Sequence, residues 1–163
     1  MTPFPRIAVA LLLLTVPAVA QQKAVAPQKP VVQKRPNFSG TWVIVSPKEG
    51  AGQEQIVTQD AKTLTAEHGS SGGGHKMAYQ LDGVERRIAL PSHGAEITLL
   101  AKASWVADRI VITTDASYPG GMRTHSTDTW SIDAQGRLVI DSKETGPGGT
   151  PGPIAKIIYT KKK

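Results

Sequence analysis

Ten short strand-like segments lie between residues 40 and 161, several of which alternate apolar and polar side chains with a period of two, and this pattern limits the fold more than any other feature. That period is typical of β-strands with one buried face. Clusters of Gly, Pro, Asp and Ser separate the segments, and no window of useful length shows the roughly 3.6-residue period of a helix. The sequence therefore predicts an all-β fold, with strands at 40–45, 53–59, 62–68, 75–81, 84–90, 95–105, 109–117, 122–133, 137–144 and 154–161.

The order of these segments favours an antiparallel up-and-down meander, because a short turn separates most of them from the next. We expect the meander to close into a β-barrel, since closure removes the exposed sheet edges that favour aggregation. Asp82-Gly83 lies between the fourth and fifth segments and predicts a type I′ hairpin, whose two central residues both need positive φ. A single domain over residues 37–163 accounts for the whole barrel.

The N-terminus has the three parts of a secretory signal peptide. Arg6 precedes an apolar run over 7–18, and the small residues at 18–20 form an Ala-x-Ala cleavage site. The run is shorter than the roughly 20 apolar residues that span a bilayer. We therefore expect residues 1–20 to be removed on export. Residues 21–36 are rich in Pro, Gln and Lys without periodicity, which predicts a disordered linker before the barrel.

The composition limits the compartment and the partners. The chain of 163 residues has no cysteine, which is ordinary for a bacterial periplasmic protein and unusual for a small secreted animal domain. We expect a periplasmic or secreted location, with no stable membrane insertion after the signal is removed, since no later apolar stretch is long enough. Much of the formal net charge of +6 comes from the two ends of the chain. Because no nucleic-acid motif with interleaved aromatic residues is present, nucleic acid is not expected as a partner.

The first strand begins with a Gly-x-Trp motif at Gly40 and Trp42, inside the sequence Asn-Phe-Ser-Gly-Thr-Trp. This motif resembles the start of the calycin superfamily, which includes the lipocalins and the fatty-acid-binding proteins. The resemblance implies that Trp42 closes one end of the barrel beside a basic residue of the last strand. Lys161 holds that place, in a Tyr-Thr-Lys ending similar to that of fatty-acid-binding proteins, and is expected to stack over Trp42 as a cation–π pair. Gly40, Trp42 and Lys161 are therefore assigned structural roles.

Three features depart from those families. Fatty-acid-binding proteins have an Arg two residues before the last-strand Tyr to hold the ligand carboxylate, and this chain has Ile157 there. Residues 46–52 form a Pro/Gly turn region where those proteins have a helical lid, and the lipocalin cysteines are absent. Over residues 37–161 the chain also resembles small exported bacterial proteins of unassigned function that begin Asn-Phe-Ser-Gly-x-Trp. That resemblance carries over no catalytic residue.

Two opposite charges fall on predicted inward faces, Arg86 on the fifth segment and Asp128 on the eighth. A buried charge is costly unless it is paired, so the two are either partners of each other or contacts for a ligand. In the ligand hypothesis Arg86 binds an anionic head group, and Tyr79 or Tyr159 adds a hydroxyl. In the alternatives the two charges form a structural ion pair, or the register turns Arg86 outward. Trp105, which shares its inward face with small alanines, completes the candidate pocket with Asp128.

No motif for metal binding, phosphate binding or catalysis is present. The histidines lack His-x-His or His-Glu-x-x-His spacing, and the Gly-rich stretch 69–74 is followed by no helix whose N-terminus would bind phosphate. There is no Gly-x-Ser-x-Gly motif and no cysteine nucleophile, and alternation places Glu85, Glu96 and Asp141 outward on separate strands. We therefore expect no metal, no cofactor and no catalytic residue. The histidines, expected at exposed strand ends, are His68, His75, His93 and His125.

The sequence favours an exported binding protein whose barrel holds a small apolar or amphipathic ligand. The alternative is an envelope protein with a solid core that acts through its surface or its basic tails, with neither ligand nor catalysis. A third hypothesis, a hydrolase or isomerase without a local motif, stays open because a barrel can host chemistry of many kinds. The oligomeric state stays open as well.

Overall fold

The computed structural model of the protein describes residues 35–68, 75–92 and 95–163. The predicted signal peptide (1–20), most of the predicted linker (21–34), the Gly-rich stretch 69–74 and His93 lie outside the described residues. Within them the fold is all-β, which confirms the sequence prediction. The ten strands are β1 (Gly40–Ser46), β2 (Glu54–Gln59), β3 (Thr63–His68), β4 (Lys76–Gln80), β5 (Arg86–Ser92), β6 (Ala95–Val106), β7 (Arg109–Ser117), β8 (Arg123–Ile132), β9 (Leu138–Thr145) and β10 (Pro151–Lys161).

The strands form one sheet in the order β4-β3-β2-β1-β10-β9-β8-β7-β6-β5, with every neighbouring pair antiparallel. Every pair except β1 with β10 is consecutive in the chain, so the predicted up-and-down meander is confirmed. The sheet curls into a nearly closed barrel, as expected of a calycin-like fold. Two single-turn 3-10 helices, Lys48–Gly50 and Pro147–Gly149, lie in loops. Within the described ranges, no helix combines the length and the apolar character needed to cross a membrane.

The predicted hairpin at Asp82-Gly83 is wrong. β4 and β5 are the two ends of the strand order and are not hydrogen-bonded to each other. Asp82 instead forms an antiparallel bridge with Ser104 of β6, and the Gly83 N–H donates to the carbonyl of Ala103 at 2.9 Å. Gly83 does have a positive φ, +74°. The Asp-Gly pair thus reports a turn correctly, but a local signal does not say which strands that turn joins.

The inward side chains form a core that is closed at one end by aromatic rings. Phe38 is 0% exposed, and its ring centroid lies 6.0 Å from that of Trp105 and 6.4 Å from that of Trp130. The indole N–H of Trp42 donates to the carbonyl of Phe38 at 2.8 Å, which holds the segment before β1 across the barrel. We call this the closed end. The opposite end, with the turns at 47–53, 118–122 and 146–150, is called the open end.

Lys161 and Gly40 complete the closed end. The Lys161 ammonium lies 5.4 Å from the Trp42 ring centroid, the geometry of a cation–π pair. Gly40 has a φ of +145°, and a Cβ at this position would collide with the Lys161 side chain. The positive φ therefore requires glycine here, and a Cβ would also displace the flexible end of Lys161 from its place near Trp42. Arg35, at the end of the predicted linker, also packs on the barrel, with its guanidinium 5.0 Å from the Trp105 ring centroid.

Candidate ligand cavity

A cavity of about 140 Å³ lies inside the barrel, between Trp130 and the open end. The sheet register places it there, because Gln55 pairs with His68 next to the open-end loops, and Asp128 lies opposite Ser142 on the neighbouring strand. Ala66 and Ser142 are small inward residues, which leave space that larger side chains would fill. Its walls combine isoleucine, tryptophan and methionine side chains with six polar residues: Gln55, His68, Tyr79, Asp128, Ser142 and Tyr159.

Gln55 is the most unusual residue of this cavity. Its side chain is 1% exposed, and neither its amide oxygen nor its amide nitrogen has a hydrogen-bond partner within the described residues. The indole N–H of Trp130 is likewise buried without a partner there. A buried polar group left unpaired costs about 1–3 kcal/mol, and native structures contain few of them. These unpartnered atoms belong to two residues that line the cavity, Gln55 and Trp130.

Asp128 places a carboxyl group in the same cavity. Burial raises its pKa above the ordinary value, the charge of Glu144 raises it further, and a hydrogen bond with Ser142 opposes the change. Within the described residues no basic side chain forms an ion pair with Asp128. A half-buried carboxylate without a cationic partner is electrostatically costly, which makes it a candidate binding group.

Two tyrosine hydroxyls share this environment. Burial raises the pKa of Tyr159 to about 12, and the nearby Asp128 charge contributes to that shift. The pKa of Tyr79 is raised even more, by the same two causes. Both hydroxyls are therefore protonated at physiological pH and available as donors. The Tyr79 hydroxyl lies 3.1 Å from the Met77 sulfur, a weak acceptor that a better one can displace.

His68 lines the cavity beside the open end. The residue is exposed, yet its ring is desolvated enough to lower the pKa, and the neighbouring His75 lowers it further. Because the shift is downward from 6.5, the ring is neutral at pH 7 and above. Among the described residues that line the cavity none is Lys or Arg, so the lining carries no fixed positive charge.

The structure brings together three of the five predicted ligand residues around the cavity, Tyr79, Asp128 and Tyr159, whereas Arg86 and Trp105 do not line it. Arg86 lies beside Tyr79 in a separate pocket of about 10 Å³. The ion pair between Arg86 and Asp128, one of the alternatives open from sequence, is not formed. Arg86 stands opposite Ala101, on the inward side of β5, but its exposed guanidinium makes two 2.7 Å hydrogen bonds with the Asp82 carboxylate. Asp82, only four residues away in the chain, therefore neutralises the charge of Arg86 at the barrel rim.

Trp105 is not part of the cavity lining either. Its ring packs on Phe38 and beneath the Arg35 guanidinium at the closed end, so it serves the aromatic closure. Sequence reasoning missed Gln55, although it is an inward polar residue of β2. Alternation does not assign Gln55 to a face, because Ile56 and Val57 are adjacent apolar residues of which one is exposed and one is buried.

The remaining polar clusters do not form a comparable site. His125 and Asp115 are joined by a 2.8 Å contact on the outer face, where both side chains are exposed. In the part of the chain that the structure describes, no group of three or more potential metal ligands comes together. No protein-family model and no curated protein matches this chain. Within the described residues, the cavity is therefore the strongest pointer to function.

Proposed function

We propose that the protein is an exported binding protein whose barrel holds a small amphipathic molecule in the cavity between Trp130 and the open end. The observation that carries this proposal is the buried Gln55 amide, whose oxygen and nitrogen both lack a partner within the described residues. A guest with a hydrogen-bonding group would pair these atoms and remove their desolvation cost. The apolar part of the guest would lie against Ile112, Ile140 and Ile157.

The volume limits the guest to a small molecule. Ligand sites in proteins usually measure about 300–1,000 Å³, whereas this cavity measures about 140 Å³. A long-chain fatty acid is too large, which agrees with Ile157 standing where fatty-acid-binding proteins have their carboxylate-binding Arg. The proposed ligand is therefore more polar and shorter than the cargo of fatty-acid-binding proteins.

Export to the periplasm is part of the proposal and is supported by the signal-peptide pattern of residues 1–20. The full chain should be expressed with this segment in a bacterial host, purified from the periplasm and weighed by native mass spectrometry. We expect a mature chain that begins at Gln21 and an added mass that leaves on denaturation.

A matched pair of variants connects the added mass to the cavity. Gln55→Leu removes the unpaired amide, whereas Gln53→Leu makes the same change on an exposed residue of the preceding turn. We expect the first variant to lose the added mass and the second to keep it. A bare wild-type chain that also takes up no compound from a panel of small polar molecules would contradict the proposal. It would favour the solid-core interaction protein.

A further inference from the structure

We propose that the molecule bound in the cavity is a small protonated amine that also carries an oxygen acceptor, such as a hydroxyl or carbonyl group. This inference rests on the proposed function, because it names the chemical class bound in the same cavity. Two observations support it: the negative charge of the cavity lining, and the buried polar atoms that have no hydrogen-bond partner within the described residues.

The lining has a negative charge and no described positive one. Asp128 lines the cavity, and the exposed Glu144, two residues after Ser142 on β9, adds negative charge near it. His68, the one basic residue among the described lining residues, is held in its neutral form by partial burial and by His75. An anionic guest would place a second negative charge beside Asp128, whereas an ammonium group supplies the counter-charge that this carboxylate lacks.

The unpartnered atoms call for both a donor and an acceptor on the guest. The Gln55 carbonyl oxygen accepts, and an ammonium N–H can donate to it while also donating to Asp128. The Gln55 amide nitrogen and the Trp130 indole nitrogen donate, and each needs an oxygen of the guest as acceptor. A simple alkyl amine would leave these two donors unpaired. An amine with a hydroxyl or carbonyl group pairs both kinds of atom.

Aromatic side chains add a further preference for a cation. Tyr79, Trp130 and Tyr159 all line the cavity. Aromatic rings attract ammonium groups through their quadrupole, and the attraction increases where water is excluded. The combination of a carboxylate, an amide oxygen and three aromatic rings therefore favours an organic cation over a neutral or anionic molecule of the same size.

Three small probes of nearly equal bulk test the charge preference directly. Ethanolamine, ethylene glycol and glycolate share a hydroxyl group and differ in having a cationic, neutral or anionic second group. Each is titrated at neutral pH into the ligand-free full-length mature chain, and binding is followed by NMR chemical shifts. We expect ethanolamine to bind about tenfold or more tightly than either of the others, the size of effect that one hydrogen bond to a charged group gives.

Two variants then assign the preference to Asp128. Asp128→Asn keeps the shape of the side chain and removes its charge, and we expect it to reduce ethanolamine affinity about tenfold while leaving ethylene glycol unaffected. Asp141→Asn makes the same change on the outer face of β9, where Asp141 contacts Lys156 at 3.6 Å, and should leave all three affinities as they are. Circular dichroism checks that both variants fold.

Equal binding of the three probes, tighter binding of glycolate, or binding of none would overturn the inference without needing either variant. These failures are distinguishable from failure of the proposed function. If the periplasmic protein carries a Gln55-dependent added mass while ethanolamine shows no preference, the cavity binds a ligand of another class. If no added mass is found and no compound binds, both statements fail together.

Discussion

Replacing Gln55 by leucine should stabilise the ligand-free protein, against the usual effect of a core substitution. The two side chains are similar in bulk, so the change neither opens a large cavity nor overpacks the barrel. It removes an amide that is 1% exposed and has no partner at either polar atom within the described residues. Leaving a buried polar group unpaired costs about 1–3 kcal/mol. The free energy of unfolding should therefore rise by about that amount.

The measurement is urea unfolding of wild type and variant, followed by tryptophan fluorescence, with both proteins freed of bound molecules by unfolding and refolding. The urea dependence of the unfolding free energy should be the same in both, because the buried area hardly changes. Gln53→Leu is the control, since an exposed substitution should change stability by less than about 0.5 kcal/mol. If Gln55→Leu instead destabilised the ligand-free chain by a similar amount, the amide would be a satisfied structural group, and the reasoning would fail.

Three further changes test other parts of the structure. Because burial raises the pKa of Asp128, the folded state favours its protonated form; the stability this contributes is present below about pH 3.8 and is lost as the pH rises through the folded value. The Asp128→Asn variant does not undergo that loss. Its urea midpoint should therefore rise relative to that of wild type as the pH goes from acid to neutral. A difference between the two midpoints that does not change with pH would contradict the raised pKa. Phe38→Ala should cost about 3–5 kcal/mol in urea unfolding, since the ring is fully buried between Trp105 and Trp130. Gly40→Ala should lower the thermal midpoint because alanine is strained at a φ of +145°, and an unchanged midpoint would show that β1 relaxes freely.

The strands could be predicted from sequence because period-two alternation acts over a few residues. β6 and β7 have clear inward and outward residues, and their predicted and observed bounds differ by at most one residue. The same local character explains the error at Asp82-Gly83. The turn is real, but β4 and β5 do not pair, because the arrangement of the whole sheet and not the residues of the connection decides which strands are neighbours.

The cavity was only partly predictable, for two physical reasons. Alternation predicts the side of the sheet on which a side chain leaves the backbone, but not where the end of a long side chain lies. Arg86 leaves β5 on the inward side, yet its guanidinium reaches Asp82 at the rim. The residues around Gln55 do not alternate clearly enough to show which face of β2 it occupies. Its importance depends on the absence of hydrogen-bond partners within the described residues, which only the three-dimensional structure reveals. Tyr79 could be assigned because β4 alternates regularly between exposed and buried residues. Asp128 and Tyr159 could be assigned because each lies two residues from a bulky apolar residue of its own strand, Trp130 and Ile157.

The most direct test of the central claim is a crystal structure of the full chain as purified from the periplasm. We expect electron density for a bound molecule in the cavity, with atoms at hydrogen-bond distance from the Gln55 amide and the Trp130 indole nitrogen. A cavity that holds only ordered water, or a Gln55 amide bonded to the protein itself, would contradict the claim that these atoms exist to bind a ligand.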